Sequence, residues 1–176
     1  MNVAFADLRS TVTGARVITL GWVVSAYTIV FGAVLVPAGR LADKLGRRSV
    51  FMTGLVAFGA GSILAGSAPW LWVLIAARVV QGVGAACITP SSMALLLDAT
   101  PIDQRAAVTS FYSGVSSIGA ASGPSLGALA VDGSSWRVAF FLGLPILLVS
   151  YALGRRSMPA SVKMRDAALP DLAVRC

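Results

Sequence analysis

The sequence predicts an all-α integral membrane protein, and three observations lead there. Of its 176 residues 57% are hydrophobic and only 12% charged, whereas a soluble domain is about 45–50% apolar and about 25% charged. The apolar residues gather in five long runs. The basic residues gather in the short gaps between them. A bilayer core about 30 Å thick needs about 20 apolar residues per helical span. Chain immersed in lipid must satisfy its own backbone hydrogen bonds, which makes such runs helices.

The elements follow in order. The opening MNVAFADLRS lacks the basic start and apolar core of a signal peptide. It reads as the last turns of a spanning helix that begins before Met1. Spanning helices are then predicted at about 18–38, 49–68, 70–97, 106–131 and 138–153. Residues 1–156 make the transmembrane bundle, and 157–176 begin a polar linker. Assigning the 39–48 and 98–105 loops and the tail to the cytoplasm puts ten Lys and Arg on that side against three on the other, as the positive-inside rule requires. Trp22, Trp70, Trp72 and Trp136 then fall near the outer helix ends, where amphipathic indoles settle.

Composition also excludes functions. The net charge of +7 invites a nucleic-acid reading, but the cations lie in loop clusters without interleaved aromatics, so the partner is the lipid bilayer. The sequence has no His and no Glu; Cys87 sits in an apolar run and Cys176 is the last residue. No disulfide framework, metal cluster or cofactor site is expected. Ser91 and Ser92 have no base beside them, so no nucleophile–base pair forms and the chain is not read as an enzyme.

Three stretches carry more than span and charge. In GRLADKLGRR, Gly39 to Arg48, a plain basic loop explains the cations but not the Asp or the glycines. Gly39 is expected to cap the preceding helix, Gly46 to allow a second sharp bend, and Asp43 to cap a helix start or pair with Arg. In LIAARVVQGVGAA, Arg78, Gln81, Gly82, Ala85 and Thr89 fall on one helix face. An Arg inside a span costs about 2.5–3.5 kcal/mol on insertion scales, so this face is expected to look into protein or a water-filled cavity. In GVSSIGAASGPSLGAL, Gly119, Gly123 and Gly127 recur every four residues beside Pro124, a groove for close helix approach with a bend. Gly21, Ser25, Thr28 and Gly32 form a further small, polar face, read as packing or cavity lining.

These stretches resemble signatures of the major facilitator superfamily. Gly39, Leu41, Ala42, Asp43, Gly46, Arg47 and Arg48 match the pattern G-x-L-a-D-r-x-G-r-r, with Lys44 in place of the first Arg. Leu74, Arg78, Gln81, Gly82, Gly84, Ala85 and Ala86 match l-x-x-x-R-x-x-q-G-x-g-a-a. Gly119, Gly123, Pro124 and Gly127 match the antiporter signature g-x-x-x-G-P-x-x-G-G, and Ala128 departs from its last Gly. The resemblance implies the N-terminal six-helix half of that fold, built from inverted three-helix repeats, with its first helix truncated. It implies the fourteen-helix drug:proton antiporter branch, a multi-pass protein of the plasma membrane. The 39–48 loop would be a gate that meets the other half, with Asp43 as the polar contact and Arg47 and Arg48 in support. Arg78, with Gln81 and Gly82, would line the cavity and serve proton coupling.

The implied partners are hydrophobic small-molecule substrates, protons as coupling ion, and a missing C-terminal half. All seven acids are Asp and fall in loops, helix ends or the tail. The family's helix-one Asp would lie before Met1, so no proton carrier is visible. The alternative is a truncated, non-transporting half that only packs with a partner chain, or is inactive.

Overall fold

The computed structural model describes residues 17–132 and 136–157, and their side chains except at 17–20, 124, 126–136, 138, 139 and 157. Among these residues six α-helices follow one another: α1 (Val17–Leu45), α2 (Arg47–Gly66), α3 (Leu71–Asp98), α4 (Arg105–Asp132), α5 (Trp136–Phe141) and α6 (Leu144–Ser157), with a 3-10 turn at Ile102–Gln104 before α4. No strand occurs among the described residues. Gly21–Leu45, Arg47–Gly66 and Leu71–Asp98 are long and apolar enough to cross a membrane.

Two expectations change. The 39–48 segment is not a loop: α1 stays helical through Leu45, and the chain turns at Gly46 alone. Gly39 therefore lies inside α1 and caps nothing. Charged side chains can leave the apolar zone while the backbone keeps its helical bonds, so the fall in hydropathy marks the membrane boundary and not the helix end. At Gly46 the backbone takes φ 99° and ψ 127°, a conformation open to glycine without Cβ strain. Its N–H still donates to Ala42 O at 3.0 Å, and its carbonyl accepts from Val50 N at 3.2 Å. The second change is in the predicted 138–153 span, which is divided into α5 and α6 around Leu142 and Gly143.

The core is α3 between α1 and α2. Small residues set the spacing. A Cβ on Gly84 of α3 would lie 2.5 Å from Phe58 N and 2.9 Å from Gly54 O of α2. A Cβ on Gly82, two residues earlier, would lie 3.0 Å from Tyr27 O of α1. So Gly84 brings α2 close and Gly82 brings α1 close, on different sides of the same helix. Without water to drive association, such backbone approach supplies the packing of spanning helices. At one end Val23, Ala65, Ala68, Leu71, Leu74 and Ala77 form an apolar cluster. Trp22, Trp70 and Trp72 project from that end and are more than half exposed.

The remaining helices attach more lightly. Arg137 of α5 donates to Ala68 O at 3.1 Å, and Phe141 lies over Gly66. The hydroxyls of Tyr112 on α4 and Ser92 on α3 are 3.0 Å apart. Otherwise α4 presents Phe111, Val115 and Ile118 outward.

Candidate functional site

Two polar centres sit at different depths of the three-helix core. The first is ionic and lies where α1, α2 and α3 end together. Arg47 donates to Asp43 Oδ1 through Nε at 3.3 Å and Nη2 at 3.2 Å, and through Nη1 to Asp98 Oδ1. Asp43 lies in the last turn of α1 and Asp98 ends α3, both near the negative pole of a helix dipole, while Arg47 opens α2 near a positive pole. Each charge is at the less favourable end of its own helix, and the arrangement is compensated by the pairing. All three side chains are substantially exposed. Beside them Arg48 Nη2 donates to Arg155 O at 3.1 Å, tying the start of α2 to the last turns of α6.

The second centre crosses the bundle. Arg78 Nε donates to Val23 O of α1 at 3.0 Å, and Nη1 to Gln81 Oε1 at 2.9 Å. Gln81 Nε2 donates to Ser62 Oγ of α2 at 2.8 Å, and Ser62 Oγ donates to Phe58 O at 3.0 Å. The guanidinium lies over the Tyr27 ring, 4.4 Å from its centroid, with Phe140 at 5.9 Å. A relay thus runs from an α1 carbonyl to an α2 carbonyl. Gln81 and Ser62 are each 2% exposed, and both ends of the Gln81 amide are bonded, so neither is left unpaired at burial cost. Among the described residues no carboxylate pairs with Arg78. Its charge is met by a carbonyl, an amide oxygen and aromatic faces.

The structure therefore gathers Asp43, Gly46, Arg47 and Arg48 at one end. Arg78 and Gln81 stand deeper, with Gly82 packed on α1. The face of α3 that bears them looks into protein as far as Ala85, whereas Thr89, expected on the same face, is exposed. Gly39 meets Pro90 of α3, where a Cβ would be 3.7 Å from the proline Cβ. Gly119 and Gly123 lie on α4 with nothing within 4 Å of where a methyl group would stand. Helix α4 runs through Pro124 and Gly127 without a break, and their surroundings lie outside the described side chains. The roles of Asp98, Ser62 and Tyr27 do not emerge from the sequence. A lone acid ending a long apolar run was the available signal for Asp98. For Ser62 the signal was a hydroxyl among small residues.

An all-α bundle with membrane-length helices, a half-buried arginine within a span and an ionic cluster at one end defines a polytopic membrane protein. The family model of the Major Facilitator Superfamily matches residues 2–170, and the chain belongs to that family of transporters. It is 38% identical over 152 residues to the puromycin resistance protein pur8 of Streptomyces alboniger, covering 86% of this chain and 30% of that protein. It is 38% identical over 148 residues to the multidrug resistance protein Stp of Mycobacterium tuberculosis, covering 83% of this chain and 27% of that protein. It is 34% identical over 162 residues to the methylenomycin A resistance protein of Streptomyces coelicolor, covering 92% and 34%. The chain spans about a third or less of the length of these relatives.

Proposed function

We propose that this chain is the N-terminal part of a proton-coupled multidrug efflux transporter, a drug:H⁺ antiporter of the plasma membrane that exchanges hydrophobic small molecules for protons. The observation that carries the reading is the Arg47 cluster, which holds the ends of α1, α2 and α3 together through Asp43 and Asp98. Exposed ion pairs are individually weak, of the order of 1 kcal/mol or less, so such a cluster can open and reform during a cycle. The resistance names of the relatives support the transport direction. In this reading the cluster gates the cytoplasmic side together with the other half of the transporter. Arg78 fixes α1 against α3 beside the substrate path. The proton carrier belongs to a residue outside the described ones.

The test is ethidium efflux from cells that make this chain joined to, or co-expressed with, a C-terminal half from a full-length relative. Efflux that stops with a protonophore is expected. Arg47→Gln should slow turnover several-fold while leaving drug affinity unchanged, and Asp98→Asn should restore part of the rate by removing the stranded carboxylate. Unchanged turnover in Arg47→Gln would sink the gating role. Efflux indifferent to the protonophore would sink proton coupling.

A second reading has its own observation. On α1 Gly21 and Gly32, and on α4 Gly114, Gly119 and Gly123, have open space where a side chain would be. Small-residue faces of this kind accept other helices. A half that acts only by packing with a partner chain fits them too. An immunoblot of source membranes with an antibody to residues 157–176 separates the two. A band near 18.1 kDa bound to a second chain favours packing, and a band about three times larger favours the full transporter.

A further inference from the structure

Arg40 and Lys44 stand outside the ionic cluster. They lie one turn apart on α1, both exposed, and neither makes a hydrogen bond or ion pair with a described residue. The acid between them in sequence, Asp43, is already held by Arg47. Together with Val36, Pro37 and Leu41 they line an open cleft of about 330 Å³. Val36 and Leu41 are 63% and 45% exposed, so the wall of the cleft is bare hydrocarbon. Its position is also informative. The cleft spans the last turns of a membrane-length helix, where the basic residues of the 39–48 segment begin. Its charged rim is therefore at the membrane–water boundary, and its apolar wall runs from there toward the bilayer interior. Pro37 adds its apolar ring to this wall.

We propose that this cleft is a binding site for an anionic phospholipid. The phosphate sits between Arg40 and Lys44, and an acyl chain lies along Val36, Pro37 and Leu41. Charge complementarity selects the headgroup: two uncompensated cations attract a net negative lipid and repel the ammonium of a zwitterionic one. The apolar wall selects a lipid over a free phosphate, which has no use for it. The proposal rests on the membrane reading of the chain and is independent of drug export.

The test is native mass spectrometry of the 176-residue chain released from nanodiscs of equimolar phosphatidylglycerol and phosphatidylcholine. Preferential retention of phosphatidylglycerol is expected. Basic residues near a membrane surface each strengthen anionic-lipid binding, so Arg40→Gln with Lys44→Gln should weaken the preference about tenfold or more. Arg155→Gln with Arg156→Gln removes equal charge elsewhere and should leave it intact. Equal loss in both pairs would mean diffuse attraction and overturn the site. Val36→Trp keeps both cations but fills the apolar wall, and should also weaken retention. Full retention in that variant, or displacement by soluble glycerol phosphate, would identify an anion site without a lipid and overturn the proposal. In cell membranes a photo-cross-linking side chain at position 36 should capture lipid. A cross-link to polypeptide there would give the face to another part of the protein and overturn it as well.

Discussion

Arg78 enters α3 seven residues from its start at Leu71, about 10 Å along the axis. A guanidinium at that depth is costly, and the relay through Gln81 and Ser62 explains how the cost is met without an acid. Ser62→Ala would leave the buried Gln81 amide without its acceptor, a loss of about 1–3 kcal/mol. Unfolding in detergent should show it, and a cycle with Gln81→Met should be strongly non-additive because the two residues act as one unit. Additive effects would separate them. The helical spacing made Arg78, Gln81 and Gly82 legible as one face, since i, i+3 and i+4 positions always share a side. Ser62 was not legible, because its partner lies on another helix and no periodicity links the two. The same holds for Asp98, which reaches Arg47 across 51 positions.

At the scale of elements, the glycines of this chain divide by what surrounds them. Gly54 of α2 has Cys87 Cβ at 2.9 Å and Gly84 O at 3.0 Å from where a methyl would stand. Gly54→Ala should therefore push α2 off α3 at a cost of about 1–3 kcal/mol. Gly119→Ala, with nothing nearby, should leave the stability of the isolated chain the same or raise it by up to about 1 kcal/mol through helix propensity. A drop in thermal midpoint for Gly119→Ala equal to that for Gly54→Ala would show that α4 is packed as tightly as α2. The spans of α2 and α3 were readable because apolar length and helical length nearly coincide there. The end of α1 was not, because its last two turns are helical yet charged. The break between α5 and α6 was equally hidden, since the run around Gly143 stays apolar on both sides.

For the molecule as a whole, α3 is the piece on which the rest is assembled. It meets α1 through Gly82 and α2 through Gly84, and reaches α4 through Ser92. Its ends take part in the apolar cluster at one side and the ionic cluster at the other. Gly46→Ala tests the one position among the described residues where glycine is required by a positive φ. A Cβ at φ 99° costs about 1–3 kcal/mol, whereas Gly39→Ala, inside α1 and with only an ordinary contact to Pro90, should be neutral or mildly stabilising. Comparable destabilisation by both would mean that Gly39 also serves a bend. Gly46 has a mechanical consequence as well. One residue joins two long helices, so their relative angle depends on very few torsions, and α2 acts as a lever of 20 residues, about 30 Å from its fulcrum to its tip. A rotation of about 10° at Gly46 would sweep the tip by about 5 Å. The far end is Gly66, where Phe141 already rests in the space a side chain would need. A small torque at the charged end of this protein would therefore be felt most at the opposite rim.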